Sequence, residues 1–156
     1  MQTATKEIKN QTTDNFPING TDYIEFYCGN AKQSAIYYQT AFGFKLVAYC
    51  GPETGVRDRA SYVLQQDKIR LVLTSAMGPE HEISQHVLRH GDGVKVLALW
   101  VDDAEKAYHT AMERGAVSAS AHRTGNASSS EAATHCARIM EGSPNVQERI
   151  HSICGT

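Results

Sequence analysis

Apolar and polar residues alternate from Tyr23 to Cys28: Ile24, Phe26 and Cys28 share one side, and Glu25 lies on the other. Period-2 alternation predicts a half-buried strand with Glu25 turned away from the apolar face. Gly29 breaks the strand and Asn30 is placed to cap a helix. Ala31, Ala35, Tyr38 and Phe42 then recur at helical spacing, and Gly43 is a natural stop. Phe44 to Tyr49 reads as the next strand, succeeded by a turn-rich loop, "GPETGVRD", from Gly51 to Asp58. Two further strands, Ala60–Gln65 and Ile69–Ser75, flank a "QDK" turn. In the second of these, Ile69, Leu71 and Leu73 face one way, while Arg70 and Thr74 face the other.

Met77 to Gly91 predicts a loop and a short helix, with Pro79 near its start and Gly91 after its end. The opening pattern then returns. Val94–Val101 is a strand, Asp102 or Asp103 caps, and Ala104, Ala107, Tyr108 and Ala111 line a helix that ends at Arg114 and Gly115. Ala31 aligns with Ala104 and Gly43 with Gly115, an internal repeat of about 70 residues. Three more strands would complete the second unit. From about Ser118 the chain turns to small polar residues without alternation, and only weak apolar patches remain near Ile139 and Ile150. The expected fold is therefore α+β: a βαβββ module and an incomplete second one. The sheet should be curved and mostly antiparallel, with its helices on one side. The tail is expected to be irregular.

Composition narrows the function classes. The chain has 156 residues, 41% hydrophobic and 21% charged, with a net charge of -2. That balance argues against a nucleic-acid footprint. No apolar run approaches a membrane span, and the first residues lack a secretory core, so a cytoplasmic protein with a disordered leader over residues 1–15 is expected. Asn-x-Ser/Thr triplets at Asn10, Asn19 and Asn126 then count as chance. Cys28, Cys50, Cys136 and Cys154 form no Cys-x-x-Cys pair, and Cys28 reads as a small buried hydrophobe.

Several residues invite a chemical reading. His86 and His90 are spaced i, i+4 on the expected helix, and with Glu82 they are candidate ligands for a divalent ion. The competing reading, a solvated helix face, is preferred. His109, His122, His135 and His151 show no ligand spacing. Glu25, on an early strand, is expected to point outward. Glu53, Arg57, Asp58 and Arg59 in the loop could grip a carboxylate, or simply form a turn with local ion pairs, which is the preferred reading. Tyr27, Tyr37, Tyr38 and Tyr49 make the opening stretch aromatic, with Tyr38 read as core or interface. No serine–histidine–aspartate order, phosphate loop or dinucleotide fingerprint occurs.

The segments "FYCGNAKQSAIYYQTAFGFKLVAY", "GPETGVRDRASYVL", "KIRLVLTSA" and "HGDGVK", in this order, resemble the amino-terminal half of 4-hydroxyphenylpyruvate dioxygenases, members of the vicinal-oxygen-chelate (glyoxalase/dioxygenase-like) superfamily. The likeness covers residues 16–117, and residues 118–156 do not match it. Cys28 stands where the family usually has valine, Trp100 where an acidic residue is common, and the family's "YGE"-like motif is absent. The abrupt change after Val117 is what a shifted reading frame or displaced gene end would produce.

The resemblance implies conversion of 4-hydroxyphenylpyruvate and O2 to homogentisate and CO2 in tyrosine catabolism. Fe(II) in that family is held by two histidines and a glutamate in the carboxy-terminal half. It therefore implies a truncated, non-catalytic half that carries no catalytic, cofactor or metal residue, and no cofactor of its own. Ile36, Tyr37 and Phe44 would leave an apolar surface favouring homo-oligomers. Three alternatives stay open: a 4-hydroxymandelate synthase-type fragment, a small stand-alone metal enzyme of the superfamily, and a non-catalytic binding module.

Overall fold

The computed structural model describes Phe16, residues 18–118 and the strand Cys136–Glu141. Its elements are β1 (Ile18–Tyr27), α1 (Ala31–Phe42), β2 (Lys45–Cys50), β3 (Arg59–Gln66), β4 (Ile69–Ala76), α2 (Glu82–His90), β5 (Gly93–Val101), α3 (Ala104–Glu113) and β6 (Cys136–Glu141). They build one sheet in the order β2-β3-β4-β1-β5-β6. β1 runs parallel to β4 and β5 parallel to β6, while β1/β5, β2/β3 and β3/β4 are antiparallel.

The helix starts obey the capping rules. The Asn30 side chain accepts from the Gln33 N–H at 3.0 Å, and that of Asp103 from the Lys106 N–H at 2.9 Å. Each oxygen satisfies a backbone donor that the first helical turn leaves without a partner. Asp102, the other candidate cap, instead accepts from the Asn19 amide. Gly43 closes α1 in the left-handed region (φ 74°), where a side chain would be strained. The two units thus begin alike, with Ala31 and Ala104 opening equivalent helices.

Side-chain alternation sorts the sheet into two faces. Cys28, Leu64, Leu71 and Leu73 pack with Ala31 and Ala35 of α1 in a buried core, with Ile24, Phe26, Tyr38 and Phe44 partly buried against it. Alanines let the helix approach closely. Tyr23, Val63, Val72 and Ala98 form a second core on the opposite face. Arg70 and Thr74 do share a face, as expected, but that face is not solvated, because Val72 and Thr74 are fully buried. Tyr108, grouped by spacing with Ala104, Ala107 and Ala111, is 43% exposed, whereas Ala107 is buried.

Two further expectations change. α2 does not lie over the same face as α1. It crosses the carboxy-terminal ends of β1 and β4, where its Glu82 and His86 reach Tyr27 on the opposite side. The tail after residue 118 is not wholly irregular, because it supplies β6. Its pairing with β5 uses backbone groups, which need no period-2 pattern and so leave little trace in sequence. β6 takes the place beside β5 that β4 takes beside β1, so the second module holds strand, helix and strand among the described residues. The expected leader, residues 1–15, and the rest of the tail lie outside the described residues.

Candidate functional site

The β1/β5 ladder is interrupted three times. The register steps over Asn19, Asp22 and Lys95, each left as an extra residue. A bulge re-aims the side chain it carries. Asn19 reaches Asp102 at 2.6 Å, Asp22 reaches Arg70 on β4 at 2.9 Å, and the Lys95 ammonium lies 5.7 Å from the Tyr27 ring centroid. All three polar groups therefore depend on the central strand pair.

Between them, the face opposite α1 carries a continuous polar chain. The Ser61 and Thr74 hydroxyls are 3.0 Å apart, and Thr74 donates to a Glu25 carboxylate oxygen at 2.8 Å. Because the single Thr74 hydroxyl hydrogen is committed to Glu25, Ser61 must donate to Thr74. Ser61 and Thr74 are both buried, each 1% exposed. Glu25 therefore does not point outward as expected. It is half-buried, and the chain gives its charge a donor, without which burial would be costly.

Tyr27 adjoins this chain. Its phenol donates to Glu82 at 3.3 Å, and the His86 ring meets its ring edge-on at 5.5 Å. Burial, then the nearby Glu25 and Glu82 carboxylates, push the Tyr27 phenol above its ordinary range, so it remains a donor. His81 caps α2: its Nδ1 accepts from the Ile83 N–H at 3.1 Å, and its Nε2 lies 3.4 Å from Asp58. Burial pushes the Asp58 carboxyl up, but a backbone hydrogen bond, Arg59 and His81 outweigh it and hold the group below the usual carboxylate range.

The loop "GPETGVRDR" does not converge on a carboxylate-binding clamp. Arg59 pairs with the adjacent Asp58 at 3.3 Å, Arg57 is exposed, and Glu53 accepts from the Tyr49 hydroxyl. The preferred reading, local pairs in a turn, fits this arrangement. His86 and His90 are brought together, with ring centroids 4.9 Å apart. The His109 ring stacks edge-on with the neighbouring Tyr108, and His122, His135 and His151 lie outside the described residues. Cys28 lines a shallow cavity of about 230 Å³ with Gly29, Ala76, Ser84, Val87 and Leu88. Burial pushes its thiol up to about 11, which suits a packing role.

Sequence reasoning placed Tyr27 only in an aromatic stretch and Thr74 only on a strand face, and it missed Ser61, the hydrogen-bonded row and the Asp22–Arg70 pair. A signal existed: Ser61 alternates with Val63, and Arg70 and Thr74 alternate with Val72. Polar residues in step with valines on adjacent strands mark a buried polar row. No three His, Cys, Asp or Glu side chains converge as a metal site among the described residues. The donors present there do not fit a two-histidine, one-carboxylate iron site.

The sequence model of the Glyoxalase/Bleomycin resistance protein/Dioxygenase superfamily matches residues 20–134. The chain belongs to this superfamily. Within the superfamily, the chain is similar to 4-hydroxyphenylpyruvate dioxygenase of Danio rerio, 46% identical over 95 residues, covering 60% of this chain and 24% of that protein. It is also similar to 4-hydroxyphenylpyruvate dioxygenase of Coccidioides posadasii, 41% identical over 127 residues, covering 73% and 32%. The chain thus spans about a quarter to a third of the length of these curated relatives.

Among solved structures, a variant of 4-hydroxymandelate synthase from Streptomyces coelicolor superposes with a TM-score of 0.64 at 32% identity, covering 68% of this chain and 32% of that one. Methylmalonyl-CoA epimerase from Mycobacterium tuberculosis shares the fold alone, with a TM-score of 0.53 at 16% identity and coverage of 63% and 65%. No helix among the described residues is long and apolar enough to cross a membrane.

Proposed function

We propose that this chain is the amino-terminal scaffold half of a 4-hydroxyphenylpyruvate dioxygenase-type protein. Such a protein converts 4-hydroxyphenylpyruvate and O2 to homogentisate and CO2, in the cytoplasm, as a step of tyrosine breakdown. In this reading the Fe(II) ligands come from the remainder of the protein, and this half contributes no catalytic, cofactor-binding or metal residue to that site. The 46% identity with a 4-hydroxyphenylpyruvate dioxygenase carries the reading. The hydrogen-bonded Ser61–Thr74–Glu25 chain supports a structural role, since it spends these side chains on one another. The 32% identity with 4-hydroxymandelate synthase keeps a synthase-type half as the second reading. The higher identity favours the dioxygenase.

The test is anaerobic loading of the purified chain with Fe(II), then metal counting and oxygen uptake with 4-hydroxyphenylpyruvate. The expected result is no oxygen uptake above buffer, with no more Fe(II) retained than by a Glu25→Gln variant. Stoichiometric Fe(II) with turnover of 4-hydroxyphenylpyruvate would overturn it.

A further inference from the structure

We propose that α2 carries a two-histidine chelate, His86 and His90, for a borderline divalent ion: copper(II), nickel(II) or zinc(II). The inference is separate from the function proposed above, which uses neither residue. On a helix, residues four apart stack along one face. Here the two rings have centroids 4.9 Å apart and are tilted by 48°. Imidazole nitrogens bind zinc at about 2.0–2.1 Å, so two of them on one tetrahedral ion lie about 3.4 Å apart. Binding therefore requires the two rings to turn until one nitrogen of each faces the ion.

The surroundings limit how far the pair must reorganise. His86 is half-buried and meets the Tyr27 ring edge-on at 5.5 Å. Tyr27 is held in turn by its bond to Glu82 at 3.3 Å and by Lys95 over its ring. His90 is exposed and leaves a path for the ion. The helix beneath is fixed at both ends: His81 caps its start, and the Gly91 N–H bonds to the Val87 carbonyl at 2.8 Å. A ring already held in place loses less entropy when it binds a ligand.

The donor set selects the ion. Neutral imidazole suits copper, nickel and zinc, while calcium and magnesium want oxygen ligands. Glu82 lies one turn before His86, yet no three-donor group forms among the described residues. Water therefore fills the remaining positions. Copper(II) should bind most tightly, in line with the usual divalent order.

Equilibrium dialysis of the full chain against copper(II), nickel(II) and zinc(II) chloride tests this. One equivalent of copper(II) should bind, reversed by a chelator, and each ion should raise the thermal midpoint by binding the folded state. His90→Gln, a change at an exposed position, should keep the far-ultraviolet circular dichroism. It should weaken binding by at least about 10- to 100-fold, since even an outer-shell partner is worth that much, and should abolish the rise in midpoint. His86→Asn should act alike. Binding that is no weaker in His90→Gln would place the ion on other histidines and overturn the proposal, as would binding that never saturates.

Discussion

Thr74 shows how much one hydroxyl can organise. It is fully buried, accepts from Ser61 and donates to Glu25, so it joins β3, β4 and β1 through side chains alone. Its backbone carbonyl also accepts from the Cys28 N–H at 2.9 Å, where β1 gives way to α1. Thr74→Val keeps the shape but leaves Ser61 and a half-buried carboxylate without their shared partner. Removing one member of a buried polar set costs about 1–3 kcal/mol. Urea denaturation should show that loss as a lower midpoint with an unchanged slope, and Thr74→Ser should recover most of it. An unchanged midpoint in the valine variant would mean that the chain contributes nothing. None of this could be read from Thr74 in isolation: its strand pattern identified its face, but not that the face is buried.

At the scale of elements, the chain's capping and turn chemistry agree with its fold. Asn30, Asp103 and Gly43 sit where local rules place them, and the observed bonds match. Asn30→Ala removes the acceptor for the Gln33 N–H and should destabilise the protein by about 1 kcal/mol, whereas Asn30→Asp should be near neutral. Chemical denaturation of the two variants side by side checks this, and an alanine variant as stable as the original would refute it. The sheet elements were less legible. β1 begins at Ile18, five residues before its alternation becomes clean, because the register shifts at Asn19 and Asp22 break the period. β6 was missed for a related reason, since a strand held by backbone pairing to β5 need not alternate.

For the whole molecule, the outer surface of α1 and the adjoining edge strand stand out. Ile36, Tyr37, Phe42 and Leu46 are 53%, 57%, 54% and 45% exposed. Exposed large apolar side chains of this kind, where they adjoin, favour association. The extra residue Val47 kinks β2, which discourages simple strand addition at that edge. Association should therefore run through side chains of α1. Sedimentation velocity over a concentration series should show self-association, and Ile36→Lys with Tyr37→Lys should return the chain to monomer. A monomer at all concentrations would exclude it.

Linear sequence was enough for the helices, the Asn30 and Gly43 caps of α1, the hairpin of β3 and β4, the 70-residue repeat (about one module, aligning Ala31 with Ala104) and the superfamily. These rest on local spacing and short-range backbone chemistry, which a linear chain displays. Folding in three dimensions was needed to turn Glu25 into a hydrogen-bonded row, to bring Asp22 to Arg70, to close α2 over Tyr27 and to set His86 against His90 in a held ring pair. Asp22–Arg70 and Glu25–Thr74 join residues 48 and 49 positions apart, and the register of strands brings them together. Register is set by the cooperative packing of both sheet faces, which no single segment encodes.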